Sequence, residues 1–546
     1  MSITKTFSIS GQIVDVAGCR IFEGTLHIKD GKIARITEGG ARSGVFLIPG
    51  LIDSHVHIES SMLTPVEFAR LAVVHGTVGA VSDPHEIANV LGVKGVEYMI
   101  ANARRVPFKF WFGAPSCVPA TGFETSGARI TAYDIKELLK NPAIRYLAEM
   151  MNFPGVLARD EEVIQKIQHA KNAGRVIDGH APGLQGDDLK RYVSEGISTD
   201  HECSTIEEAE EKLALGMKIL IREGSAARDF DALIPLMASN ASLLMFCSDD
   251  KHPDDLVEGH INLLVKKTIA LGYDVFDVLR SATLIPKLHY GLNNGLLQQG
   301  DPADLVVIDN LKDFNVLETY IEGVKVAERG RTLLENVKEE VPNRFYTGQV
   351  EPGMLKLKVR PGKMRVIQVV EGQLFTKSIE VAPRVERGFV ETDTGNDILK
   401  LVALNRYEPA PPALAFIKGF GLKSGALATT VAHDSHNILA VGTNDNDIIR
   451  AINLLVDSHG GIVAVEGSRH WLLPLPVAGI MTQNDGYQTA KWYKGIDMAA
   501  KNLGTTLQAP FMTLSFMALL VIPELKLSDR GLFDVNSFSL VPLFSE

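Results

Sequence analysis

Pro49-Gly50-Leu51-Ile52-Asp53-Ser54-His55-Val56-His57 reads as an apolar strand that ends in a His-x-His pair. In a β-strand, residues i and i+2 share a face, so His55 and His57 leave the strand end side by side. Two neutral imidazoles held in parallel are a ready pair of ligands for a divalent transition metal. Alone the pair is weak evidence, since strand-end histidines are more often simply hydrogen-bonded. Its weight comes from what the rest of the chain supplies.

Downstream, strand-like runs alternate with helix-like stretches such as Asp160–Asn172. With Ile48–Ile52 as the first, the strands are Thr77–Val81, Lys109–Phe112, Arg145–Ala148, Arg175–Asp178, Ile197–Asp200, Lys218–Ile221 and Leu243–Phe246. Alternating β and α units imply a parallel sheet, and eight repeats predict an α/β fold: a (β/α)8, TIM-like barrel over 49–297. Its active site belongs at the carboxyl ends of the strands.

Upstream lie the short strands Phe7–Val16, Gly24–Lys29, Lys32–Ile36 and Val45–Ile48, with Lys29-Asp30-Gly31-Lys32 as a hairpin turn. A similar β-rich patch returns over Gly295–Gly330. Two such segments flanking the barrel predict one small β-sandwich assembled from 1–48 and 298–345. Residues 346–546 read as a separate C-terminal α+β domain, with strands expected within Lys356–Val369. Its glycine-rich run Lys418–Gly425 resembles a phosphate loop only superficially, because Leu422 stands where that motif needs glycine.

Composition narrows the function. Of 546 residues, 45% are hydrophobic and 22% charged, as in a soluble globular protein. The net charge of -11 and a pI near 5.8, without a dense Lys/Arg run, argue against a nucleic-acid partner. Cys19, Cys117, Cys203 and Cys247 lack CxxC spacing and read as reduced thiols of a cytoplasmic protein. The first residues have no signal-peptide pattern. The most apolar segment, Ala509–Pro523, is too short to span a bilayer and reads as a buried strand or helix. A soluble homo-oligomer, dimer or larger, is expected, with no membrane partner.

The strand ends carry the chemistry. His55 and His57 follow strand 1, Glu149 ends strand 4, His180 follows strand 5, His201 and Glu202 follow strand 6, and Asp249 and Asp250 follow strand 8. Each has an ordinary reading as a salt-bridge partner, surface histidine or helix cap. Chance placement of all six principal donors at one rim is far harder to accept. His55, His57 and Asp249 suit one cation, His180 and His201 a second, and Glu149 is long enough to bridge them. Two cations lower the pKa of a bound water towards neutrality and polarise the electrophile. Imidazole and carboxylate without thiolate suit Mn, Fe(II) or Zn alike.

This pattern resembles the amidohydrolase superfamily, which implies a metal-dependent hydrolase with a barrel and flanking sandwich. Many members bridge their metals with a carboxylated lysine; Glu149 stands there instead, so bicarbonate is not required. Ser54–Met62, Asp83–Gly92, Arg222-Glu223-Gly224-Ser225, Cys247–Pro253 and Ala432–Ile438 are similar to the bacterial adenine deaminase family. That resemblance implies hydrolysis of adenine, a small purine base, to hypoxanthine and ammonia in purine salvage. It also implies two divalent ions, manganese first, with iron or zinc as alternatives. Adenine itself comes from the resemblance alone.

On this reading hydroxide attacks C6 and Asp249 shuttles its proton to the leaving amino group. A ring nitrogen beside C6 must also gain a proton, with Glu202 and His85 as candidate donors. Glu59 and Ser60, just past the metal pair, are candidate pocket residues. So are Arg222, Glu223 and Ser225, where glycine permits close approach of backbone to ligand. His433 and His436 are expected in structural or pocket-closing roles. Other reactions remain open: a cyclic amidase or another aminohydrolase acting on guanine, imidazolone or dihydropyrimidines would use the same centre. A metal-free scaffold would have lost ligands. The H-x-E…P-C-x-x-C signature of zinc base deaminases is missing.

Overall fold

The strand leading to the His-x-His pair is two strands in two different sheets. Phe46–Pro49 belongs to the flanking β unit and Leu51–Val56 opens the barrel, with the break at Gly50. A β-carbon there would lie 2.3 Å from a Val78 methyl, so only glycine lets the chain cross between sheets against this neighbour. The computed structural model describes residues 6–40 and 44–545.

The eight barrel strands are β1 (Leu51–Val56), β2 (Thr77–Ser82), β3 (Lys109–Ala114), β4 (Ile144–Met150), β5 (Val176–Gly179), β6 (Thr199–Asp200), β7 (Lys218–Arg222) and β8 (Leu244–Cys247). β1 to β5 form one parallel sheet and β6 to β8 another. Single parallel bridges, Ile177 to Ile197 and Val56 to Asp249, close the two seams into a ring. β1 and β2 are buried at every residue, which is why they read as continuous apolar runs with no alternation. Glu161–Asn172 is typical of the outer helices. Asp160 caps it by accepting from the Val163 N–H, and Val163, Ile167 and Ala170 face inward.

The flanking unit is one eight-stranded sheet built from both sides of the barrel segment. Phe46–Pro49 sits inside it, parallel to Thr6–Asp15 and antiparallel to Leu305–Ile308. Ile13, Leu26 and Ile28 from one half share a cluster with Leu305, Val307 and Tyr320 from the other.

The C-terminal unit is a nine-stranded mixed sheet running from Thr376–Val381 at one edge to Arg469–Pro474 at the other. Helices Asp445–Ser458 and Gly486–Asn502 accompany it. Its glycine-rich run is the turn between strands Ala413–Lys418 and Ala426–Thr429, and the N–H groups of Gly419 and Gly421 both donate at 2.8 Å to Asp397. That loop cradles the protein's own carboxylate. Ala509–Pro523 forms the buried helix Pro510–Ser515 and a following turn. Among the described residues no helix is long and apolar enough to cross a membrane.

The C-terminal unit packs over the carboxyl ends of the barrel strands. Ser435 donates to Glu124 at 2.6 Å, Asn437 donates to the Thr125 carbonyl at 2.8 Å, and His433 bonds to Glu86. One apolar cluster contains Met150 and Met151 of the barrel together with Phe516 and Leu519 of that unit.

Candidate metal centre

Each donor is fixed by its own local device. Asp53, inside β1, takes Ser248 N–H at 3.0 Å and His260 at 2.8 Å, which pins the start of the turn after β8. Asp249 follows at φ 52°, a left-handed conformation rare for a non-glycine residue, and its N–H donates to the His55 carbonyl at 3.0 Å. Tyr192 ties β4 to β5, giving its hydroxyl to Met150 O at 2.9 Å and accepting from His180 N–H at 3.1 Å. Asp200 does the same for the next pair. It accepts from Ala181 and Glu202 N–H at 3.0 and 2.8 Å while buried Lys212 balances its charge at 3.2 Å.

Six donors meet at the rim, none more than 5% exposed. His55 Nε2 and His57 Nε2 are 3.1 Å apart. Asp249 Oδ1 lies 3.5 and 3.3 Å from them, and Glu149 Oε1 is 3.3 Å from His57 Nε2. The other oxygen of Glu149, Oε2, is 2.8 Å from His180 Nδ1 and 3.1 Å from His201 Nε2. His57 Nδ1 donates to the Asp83 carbonyl at 3.2 Å, which leaves a lone pair on Nε2. Imidazole nitrogens and carboxylate oxygens packed this closely need positive charge among them, supplied by protons on the rings or by metal ions. The donor set therefore fits two cations, one between His55, His57 and Asp249, one between His180 and His201, with an oxygen of Glu149 facing each.

Burial alone would raise the Glu149 carboxyl, yet His180 and His201 hold it well below the usual range. Asp249 is likewise pulled well below its ordinary value, against burial, by His55, His57 and Arg222.

Around this core the other candidate residues separate. Arg222 is buried and clamps Glu202 with both terminal nitrogens, while also donating to Asp249 Oδ2 at 3.0 Å and Asp229 at 2.7 Å. Against burial, that clamp lowers the Glu202 carboxyl. His85 opens the helix His85–Leu91, with Nδ1 3.1 Å from Asp83 and 3.4 Å from Glu149, and Nε2 3.4 Å from Glu86 and 3.7 Å from Asp434. Glu59 and Ser60 lie behind the cavity wall: Glu59 accepts from Ile87 N–H at 3.2 Å, and Ser60 donates to Asp250. Glu223 turns outward to Lys267, and Ser225 donates to Asp255 at 2.6 Å.

The C-terminal unit also reaches the cavity. Leu374, His433, Asp434, Phe516 and Leu519 line it beside Glu86 and Asp250 of the barrel. A neighbouring cleft between the two units shares Glu202 and Leu374 with it. Sequence reasoning quoted the phrases holding Glu86 and Asp434 but did not single out either residue. No spacing rule pairs positions that far apart in the chain.

Residues 46–326 match the amidohydrolase family and residues 373–539 match the adenine deaminase C-terminal domain. The chain is 53% identical to a protein named adenine deaminase from Salinibacter ruber over 99% of both chains. It is 51% identical to one from a Sulfurovum species, covering 97% of this chain and 98% of the other. Among solved structures, a beta-aspartyl dipeptidase from Fervidobacterium islandicum AW-1 is similar over 62% of this chain and 100% of its own, at 15% identity and a TM-score of 0.47. A D-hydantoinase is similar over 60% and 96%, at 16% identity and a TM-score of 0.46.

Proposed function

This chain belongs to the adenine deaminase family, and from that premise we propose that it hydrolyses adenine to hypoxanthine and ammonia. The observation that carries the chemistry is the crowding of imidazole nitrogens and carboxylate oxygens around Glu149, a buried donor set that two divalent cations would satisfy. His55, His57 and Asp249 would hold one divalent ion, His180 and His201 the other, and Glu149 would span both. Manganese is the first expectation, then iron(II) or zinc. Ions bound there would bring the pKa of water towards neutrality and, as Lewis acids, would make the carbon under attack more electrophilic by drawing electron density through the atoms bonded to it.

The chain's own groups do the rest. Asp249, kept ionised, takes the proton of the attacking water and passes it to the departing amino group. Glu202 is held ionised by Arg222 and suits an acceptor for a ring N–H. His85, with carboxylates facing both ring nitrogens, suits the donor to the ring nitrogen beside C6. Leu374, Phe516 and Leu519 give the cavity an apolar cover that keeps bulk water out.

The test is ammonia release by manganese-loaded protein from a panel of purines and cyclic amides. Selective turnover of adenine is expected. Turnover of a cyclic amide or guanine in its place refutes the substrate assignment.

A further inference from the structure

We propose that His433, carried by the C-terminal unit, contacts the purine itself, its Nε2 meeting a ring nitrogen of the base held at the metal centre. The inference deepens the adenine deaminase reading and rests on it. His433 is 2% exposed and lines the cavity over the donor cluster. Its Nδ1 is committed to Glu86. The second oxygen of Glu86 receives His436 Nε2. His436 Nδ1 accepts the Ala432 N–H at 3.2 Å, so the proton of that ring must sit on Nε2. His436 therefore turns an N–H edge, not a lone pair, towards Glu86 and offers no ligand there to a cation. Glu86 in turn fixes which edge of His433 is spent and which is free.

The free edge is Nε2. It is buried and has no hydrogen-bond partner among the described residues. Such an atom is costly unless something that enters the cavity satisfies it. Phe516 stacks on the His433 ring at 4.8 Å and 16°, which fixes the ring plane and leaves that edge forward. Leu374 and Leu519 supply apolar walls for a flat ring beside it. Apolar walls on one side and convergent polar atoms on the other are what a planar heterocycle with nitrogens on its edge requires.

The test compares the metal-loaded full chain with His433→Leu and His433→Gln, measuring kcat and KM on adenine together with metal content. It adds inhibition by the 1-, 3- and 7-deaza analogues of adenine. His433→Leu should keep its metal and lose roughly 10- to 100-fold in kcat/KM, the range for a hydrogen bond involving a charged group. His433→Gln, whose amide reaches about as far as Nε2, should recover part of that loss. One deaza analogue should bind the wild type 10- to 100-fold more weakly than the others, and His433→Leu should abolish that difference. A His433→Leu enzyme within threefold of wild type, or one that still discriminates among the analogues, overturns the contact. If His433→Leu does not fold, His433→Asn, whose amide stops short of the Nε2 position, takes its place: loss of discrimination supports the contact and full discrimination overturns it. If the wild type turns over another member of the panel, the adenine assignment fails and the contact is scored on that compound by the same ratios.

Discussion

Replacing Arg222 with methionine tests the electrostatic design of the site most directly. The change removes four hydrogen bonds to three carboxylates, two at buried Glu202 and one each at half-buried Asp229 and buried Asp249. A guanidinium and a carboxylate with charge centres roughly 4 Å apart attract by about 4 kcal/mol at an effective dielectric near 20. That attraction favours the ionised form of Glu202 over the protonated one. Arg222 is only 4% exposed, so solvent does little to screen it. Cations bound next door would retain part of the effect, so removing Arg222 takes away only a fraction of the total stabilisation of the carboxylate. The sign follows from the direction of the Arg222 influence. Arg222 keeps Glu202 ionised to lower pH, so without it the carboxylate takes up its proton at higher pH. The acidic limb of the kcat/KM profile should therefore move up, and activity near pH 6 should fall faster than activity near pH 9. Stripping one partner from a buried pair also costs about 3–5 kcal/mol of stability, so folding and metal content must be checked in parallel. Arg222→Lys, with a point charge in place of a planar fork, should fall between. An Arg222→Met enzyme that folds, holds its metals and shows an unmoved acidic limb would refute the assignment of Arg222 as the group that keeps Glu202 ionised.

Three further outcomes are expected. Asp249→Asn should retain most of its metal while kcat falls by about 10²- to 10⁴-fold, the usual contribution of proton transfer, and near-normal turnover would rule out the shuttle. Thorough chelation should abolish ammonia release and manganese should restore it; undiminished turnover by chelated protein would exclude the metal centre. Lys526 is fully buried, and burial lowers its pKa from 10.5 to about 7. It donates to the Leu374 and Phe516 carbonyls at 2.8 and 3.0 Å, tying together two segments of the cavity roof. The unfolded chain then binds more protons than the folded one between about pH 7 and 10.5, so stability should rise with pH across that window. Lys526→Met should flatten the rise of Tm between pH 7 and 9 and raise KM. An unchanged slope would contradict the buried amine.

The barrel was legible because its signal is local and repeated. Apolar runs such as Thr77–Val81 end in turn residues, and the six donor residues sit within five positions of the runs that carry them. The two-residue β6 was still placed, because Ile197–Asp200 kept an apolar approach to His201 even though only Thr199–Asp200 pairs as strand. The break at Gly50 was not legible, because it depends on Val78 standing across the path of the chain. Proximity in sequence also says little about which face a side chain takes. Glu59 is two residues beyond His57, yet it turns under the helix His85–Leu91 to receive Ile87. Glu223 adjoins Arg222 but points to Lys267 at the surface.

The part of the site that stayed hidden is the part assembled across the chain, and charge explains why it must be assembled. The barrel rim alone concentrates Glu149, Glu202, Asp249, Asp83 and Glu86 in a space sealed from water. Arg222 answers Glu202 and Asp249 from within the barrel, but Glu86 faces the open mouth. Besides His85 at 3.4 Å, its partners His433 and His436 arrive only with a loop some 347 residues away, which also brings Asp434 to His85. Burying a carboxylate without a partner costs several kcal/mol, so docking the C-terminal unit and completing the catalytic cavity are one event with one balance of charge. That coupling gives the second unit a reason to be present in an enzyme whose proposed metal donors stand on the first.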